Sequence, residues 1–371
     1  MAAVWAVIVS TFFLQTANGV QTDAIGVRAD AEGFGAAVIG PMMAAYYIGY
    51  TLAPLAGRAV VSRLGHVWTI AGCSLAAAVV ICLHPYLVTV PVWSGLRAAS
   101  GFVLSLSYVA YESWIHDRVP NIQRGRVFSV YMVAQMVGMT LAQYLFTRAD
   151  ARSAVLFLGS GVLFVMAALP VLAARRTAPS GAPPKPMGIH RLFHVSALGA
   201  GAVVLAGLSW AIIFTFGPIY ARRIGFDASG MGLFMGVAMV AGSVLQIPLG
   251  WISDHAGRRP VLAFMFAVSL AACLFGIWAT DRGPGMNLLA LGIAGGFSFP
   301  IYAVAVAHVN DRISGETRVA AAAGLVLLFG LGSIFGPLLT GPVMAAAGEI
   351  GFYALLSAAM AGGVVLAIAR R

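Results

Sequence analysis

Arg97 and Glu112 stand fifteen residues apart in WSGLRAASGFVLSLSYVAYESWIHDRVPNIQRGRV (93–126), a stretch apolar enough up to residue 115 to cross a bilayer. A charge inside a span costs roughly 2.5–3.5 kcal/mol on insertion scales, so it needs a partner or a water-filled cavity. Arginine keeps its proton. The chemistry open to Arg97 is therefore to hold a nearby carboxylate in its charged form and release it when the geometry changes. Equally open is a structural arginine bound to the backbone carbonyls of an adjacent helix. Fifteen helical residues rise ~22 Å, so Glu112 is out of direct reach of Arg97. Glu112 is expected at the inner mouth, pairing with loop arginines of the basic run His116, Asp117, Arg118, Arg124, Arg126.

The first apolar stretch carries Gln15, Asn18 and Thr22 at i, i+3 and i+7, with Gln21 and Asp23 beside them. These groups share one helical face, and such a face points at a cavity or another helix rather than at lipid. Asp23 is the one acid expected near the depth of Arg97, which makes it the leading proton site; the alternative is an end-of-helix carboxylate in water. Tyr46, Tyr47, Tyr50, Tyr108, Tyr111, Trp210, Phe214, Phe297, Phe299 and Tyr302 supply aromatic walls, with core packing or interfacial anchoring as the competing roles. Gln135, Gln143 and Gln246 are candidate hydrogen-bonders to a ligand, or glue between helices. His308 has a side chain that titrates near neutrality, though a satisfied structural histidine is the plainer reading.

What must position these residues is a membrane-spanning bundle. Hydrophobic residues make up 60% of the 371 and charged residues 9%, where a soluble domain carries about 25% charged residues. Reading hydropathy with Gly, Pro and charge as punctuation gives twelve spans of about 20 residues. They fall at 2–24, 36–57, 67–84, 88–114, 127–147, 153–174, 196–220, 229–251, 260–280, 286–308, 319–342 and 350–369. The first lacks a basic flank and a cleavage site, so it is expected to remain as a helix. Its inner flank is short, as it would be were the true start upstream of Met1. Between spans six and seven, RRTAPSGAPPKPMGIHRLFH reads as a flexible linker. The expected domains are an N-terminal six-helix bundle (1–174), a cytoplasmic linker (175–195) and a C-terminal six-helix bundle (196–371).

Fifteen of the 22 Lys and Arg residues fall on one side of these spans. That side is cytoplasmic by the positive-inside rule, which puts both termini and the linker inside. The net charge of +10 is thereby accounted for without nucleic acid. Cys73, Cys82 and Cys273 match no disulfide or metal pattern and read as packing residues. No Walker loop, HExxH, GxSxG or CxxC is present, so no cofactor, metal or catalytic residue is expected, and the chain does not read as an enzyme.

The halves repeat each other. GRAVVSRLGH follows span two and GWISDHAGRRP follows span eight; His116-Asp117-Arg118 follows span four and Asn310-Asp311-Arg312 follows span ten. Gly250, Asp254, Gly257, Arg258 and Arg259 match GxxxD(R/K)xGRR, the loop motif of the major facilitator superfamily, with His255 at the R/K position. Gly250 is expected to let helices approach, Gly257 to form the turn, and Asp254 to cap a helix N-terminus and pair with an arginine across the interface between the halves. Arg258 and Arg259 are expected to hold the loop at the anionic inner leaflet. In the first-half copy Arg58 replaces the first Gly and Ser62 the acid. Arg97-Ala-Ala-Ser-Gly101 fits the superfamily's fourth-helix RxxxG motif. Tyr111–Ile115 with Arg124-Gly-Arg126, Ala307–Arg312 and Gly336–Leu339 look like its YcaD-like subgroup.

That resemblance covers the whole chain. It implies an all-α fold of twelve transmembrane helices in two pseudo-symmetric bundles, a central cavity and rocker-switch alternating access. It further implies a monomeric secondary transporter in the bacterial inner membrane, with a small-molecule substrate, the lipid bilayer and protons as partners. Gln15, Asn18, Thr22, Tyr46, Tyr50, Tyr108, Gln135, Trp210, Gln246 and Tyr302 are the expected cavity residues. Arg97, Asp23 and Glu112 are the expected coupling residues. An uncoupled facilitator, or a scaffold or sensor on the same fold, remains open at this point.

Overall fold

The computed structural model describes residues 2–119, 121–150, 152–177, 187–313 and 317–369; the side chains of 2, 3, 116, 121–126, 128, 129, 177, 318 and 319 are outside the description. Among the described residues all regular structure is helical. The elements are α1 (Ala2–Ala31), α2 (Ala36–Leu83), α3 (Val90–Arg118), α4 (Asn121–Phe146), α5 (Val155–Ala173), α6 (Ile189–Val195) and α7 (Ala197–Arg223). They continue with α8 (Ala228–Ala256), α9 (Arg258–Ala279), α10 (Pro284–Ser298), α11 (Ile301–Asn310), α12 (Thr317–Ala347) and α13 (Ile350–Ala369). These account for the twelve expected spans. The 48-residue α2 carries two of them, broken at Gly65. The tenth span is divided into α10 and α11 around Pro300, whose ring removes a backbone donor.

Among the described residues eight helical segments, with α10 and α11 taken together as one, are long and apolar enough to cross a membrane on composition alone. The exceptions include α1, with its run from Gln15 to Asp23, and α3, with Arg97 and Glu112. The helices that depart most from lipid solubility are those bearing the candidate chemistry.

The helices segregate into two compact units: residues 1–28 with 45–185, and residues 29–44 with 186–371. Most of the linker's Pro-Gly-Ser element, with Lys185, lies outside the described residues. So do the side chains of His116, Arg124, Arg126, Arg318, Arg370 and Arg371. After the linker, the seven residues of α6 lead into α7, which Ser196 caps by accepting from the Gly199 amide at 3.0 Å.

Each unit is assembled by glycines at helix crossings, because lipid gives apolar helices no reason to associate and close backbone contact must do so. In the first unit, Gly49 of α2 faces the Ala98 carbonyl of α3, and Gly101 of α3 faces the Tyr46 carbonyl of α2. Gly19 and Gly138 bring α1 and α4 together, and Gly161 of α5 sits on Cys82 and Ala78 of α2. The second unit repeats the scheme. Gly242, Gly295 and Gly296 join α8 to α10 and Phe299; Gly207, Gly332 and Gly336 join α7 to α12; Gly276 and Gly363 join α9 to α13. The internal repeat in the sequence is thus a repeat of helix pairs. The three cysteines are unpaired thiols within these packed regions.

The second unit also holds the end of α1 and the start of α2. Asp30 accepts from Arg222 Nη1 at 3.1 Å and from Arg223 Nη2 at 2.7 Å. Gly40 lies against Pro337 and Gly341 of α12.

Two glycines perform a separate task. Gly65 (φ 76°, ψ 165°) and Gly257 (φ 91°, ψ 143°) break the chain at matching points of the two halves. That region is closed to side chains at a cost of order 1–3 kcal/mol. Gly257→Ala is expected to lower stability by about that amount, whereas Gly250→Ala, with nothing within 4 Å of a Cβ there, leaves it unchanged; detergent unfolding midpoints compare them. Gly101→Leu is expected to prevent folding of the first unit, since its Cβ meets the Tyr46 backbone, while Gly159→Leu enters open space and is tolerated. Yield of monodisperse protein measures both.

Candidate functional site

The crossing of α2 and α3 decides where Arg97 goes. Gly101 lies one turn beyond it and is pressed onto the backbone between Tyr46 and Tyr50. Arg97 is 0% exposed, with its guanidinium carbon 4.4 Å from the centre of the Tyr46 ring. Nε, Nη1 and Nη2 have no hydrogen-bond partner among the described residues. The backbone carbonyls of a neighbouring helix, one of the two roles open to it from sequence, do not receive it here. A desolvated cation–π contact is worth about 2 kcal/mol, which falls short of the several kcal/mol that burial of an ion costs.

From Tyr46 a hydrogen-bonded array runs into α1. The Tyr46 hydroxyl donates to Asn18 Oδ1 at 3.4 Å, and Gln21 Nε2 donates to the same oxygen at 3.0 Å. Thr22 donates to its own helix at the Asn18 carbonyl, 2.8 Å away. Tyr50 stacks on Tyr46 with centroids 6.1 Å apart, and Tyr108 lies 6.4 Å from Tyr50. The Tyr108 hydroxyl donates to Gln15 Oε1. Six of the ten residues expected to line a cavity, Gln15, Asn18, Thr22, Tyr46, Tyr50 and Tyr108, therefore form one patch with Arg97 inside the first unit.

Asp23 sits on the same helix and is 2% exposed. Its Oδ2 accepts from Gln143 Nε2 of α4 at 2.8 Å, while Oδ1 and Gln143 Oε1 have no partner. Asp23 and Arg97 form no ion pair among the described residues. Glu112 is half-buried on α3. Arg124 and Arg126, two of the loop arginines in its basic run, lie outside the described side chains, and Arg118 is exposed. Gln135 is half-buried on α4, its amide 3.9 Å from Met132 Sδ.

The second unit has an aromatic cluster of its own. Trp210 packs on Phe214 (4.4 Å), Phe299 (4.9 Å) and Phe329 (6.4 Å), and Tyr302 meets Phe329 at 5.2 Å. Gln246 is exposed on α8 and takes no part in this cluster.

The loop motif folds onto the second unit itself. Arg258 pairs with Asp254 one turn before it, donates from Nη1 to Ser253 Oγ at 2.7 Å and reaches Asp311 Oδ2 from Nε at 3.1 Å. Arg259 donates to the Ala367 and Ile368 carbonyls at 2.7 and 2.8 Å. It thus satisfies the bare carbonyls that end α13. Both arginines are engaged by protein groups. Gly250 makes no close helix approach, having open space around its missing side chain. In the first half His66 stands where Arg258 would, and bonds Ser113 of α3 through Nε2 at 3.1 Å.

Three participants escaped the reading of the sequence. Ser100 is 0% exposed and its hydroxyl has no partner; its signal was its place three residues after Arg97, on one face. His84 abuts Trp93 at 5.6 Å and donates from Nδ1 to the Val80 carbonyl at 2.9 Å. Asp30 gave no signal beyond its charge, because its arginines are about 190 residues away.

Comparison with known proteins agrees with this architecture. The family model described as Major Facilitator Superfamily matches residues 3–220 and 199–371. An uncharacterized MFS-type transporter of Enterobacter sp. (strain 638) is 28% identical over 257 residues, 68% of this chain and 65% of that protein. The uncharacterized MFS-type transporter YcaD of Escherichia fergusonii is 27% identical over 254 residues, again 68% of this chain and 65% of its own length. The crystal structure of the nucleoside transporter NupG superposes with a TM-score of 0.77 at 15% identity, covering 100% of this chain and 98% of that one. That of a D-xylose-proton symporter gives 0.75 at 16% identity, covering 99% and 96%. At such identities the structures speak for the fold alone. With the family model running through both halves of the molecule, the chain belongs to the major facilitator superfamily.

Proposed function

We propose that this protein is a secondary transporter. It moves a small organic solute across the bacterial cytoplasmic membrane by alternating access of its two bundles, 1–174 and 196–371, and is coupled to protons. Both termini and the 175–195 linker are cytoplasmic in this reading, as the distribution of Lys and Arg supports, and the working unit is a monomer. The observation that carries it is Asp23: a buried carboxyl in a span, held by one amide and, among the described residues, without a cationic partner. Ionisable groups inside membrane spans are costly and mark ion or substrate pathways. We assign the coupled proton to Asp23. Arg97 remains a fixed positive charge within the same unit, and Glu112 a second acidic candidate further along α3. The tyrosine and amide groups around Arg97 supply hydrogen bonds and flat apolar faces, which suits a solute with both polar and apolar parts.

Uptake of a panel of radiolabelled solutes into proteoliposomes, with and without an imposed pH gradient, tests this. Asp23→Asn is expected to bring gradient-driven accumulation down to the level seen without a gradient, while counterflow exchange persists. Full accumulation by Asp23→Asn removes Asp23 from coupling. If no solute moves through the parent protein under any gradient, the transporter reading itself falls.

A further inference from the structure

The groups around Arg97 are unequal in number of donors and acceptors. On the donor side stand all three guanidinium nitrogens, each without a partner, and the Ser100 hydroxyl, likewise unpartnered and on the same face of α3. All are 0% exposed. On the acceptor side, Asn18 Oδ1 is already taken by Gln21 and Tyr46. Among the described residues His84 Nε2 is a bare acceptor at this end of α3, and it carries no negative charge. Among the described residues the bare amide and carboxylate oxygens of the unit are Gln21 Oε1, uncharged and next to the Asn18 contact, and Asp23 Oδ1 and Gln143 Oε1, which belong to the separate α1–α4 contact. A buried site with surplus donors and one uncompensated positive charge is complementary to a ligand group that only accepts and carries one negative charge.

We propose that Arg97, with Ser100 beside it, binds the carboxylate of an organic monoanion, and that this anion is the transported solute. The inference rests on the transporter reading and names its substrate class. The planar guanidinium presents parallel N–H donors at the spacing of carboxylate oxygens. One charge fits better than two, since a phosphate dianion would bring a second negative charge with nothing to meet it. The ring faces of Tyr46 and Tyr50, stacked 6.1 Å apart next to the guanidinium, receive the apolar or hydroxylated body of the anion. Access to this buried point comes with the alternation of the bundles.

The test uses the purified full-length chain in detergent, with its thermal unfolding midpoint as readout. Benzoate, lactate and gluconate are titrated beside benzamide, lactamide and gluconamide, which keep the shape and lose the charge. At least one carboxylate is expected to raise the midpoint saturably while its amide does not. Arg97→Gln is expected to lose that response. Without ligand, Arg97→Gln is expected to unfold no lower than the parent, because it removes a buried charge that nothing compensates. Arg97→Lys is expected to respond with affinity weakened by roughly tenfold, having lost the two-pronged geometry. The proposal is overturned if no carboxylate outperforms its amide, if inorganic phosphate outperforms all three, or if Arg97→Gln keeps the response. It is also overturned if Arg97→Gln alone lowers the midpoint, which would mark the arginine as a structural tie. Carboxylate binding without proton-driven uptake counts against the coupling reading alone. Accumulation of uncharged solutes without carboxylate binding counts against the substrate class alone.

Discussion

Backbone-to-backbone contact at glycine is the constraint on which the rest of this molecule depends. Helices dissolved in lipid gain nothing by hiding leucine from leucine, so they associate where small residues let their backbones touch. Gly49 and Gly101 do this for α2 and α3. The consequence is chemical as well as mechanical. With Gly101 locked against the Tyr46 backbone, Arg97 lies over the Tyr46 ring, 4.4 Å away. A side chain at either glycine would part the helices and dissolve that arrangement.

The second unit uses the same device with different cargo. Its α8–α10 crossing is closed by Gly242, Gly295 and Gly296, yet what gathers there is the apolar group Trp210, Phe214 and Phe299. The polar array of Arg97, Asn18, Gln15 and three tyrosines belongs to the first unit alone. Duplication of a helix scheme thus preserved the packing rule, while the chemistry diverged. The two glycine breaks show the same divergence. Gly257 is followed by Arg258, which joins Asp254, Ser253 and Asp311; Gly65 is followed by His66, which bonds Ser113. An arginine with two carboxylates at one break is matched by a histidine and a hydroxyl at the other.

Much of the architecture was legible in the residue order, for reasons that are local. Apolar runs of about 20 residues have to span, and glycine at position 257 of the loop motif signals a tight turn. The polar face of α1 was legible because i, i+3 and i+7 share a side of any helix. The GxxxD motif disclosed its turn, though not its contacts: Arg259 caps α13 from more than a hundred residues away, and no spacing within the loop could say so. Gly250, sensible as a packing glycine by its motif, meets nothing.

The sequence by itself determined that this chain lives in a bilayer, that its halves repeat, and that Arg97 and Asp23 sit where charge is expensive. Those conclusions follow from the energetics of single segments, which each residue carries with it. Only the tertiary structure decided which partners those charges have. It gave Asp23 an amide from α4, gave Arg97 an aromatic face and, among the described residues, no acceptor, and tied Asp30 to Arg222 and Arg223. Partnership between distant helices depends on how closely their backbones approach and how each is rotated, and these are properties of the packed whole.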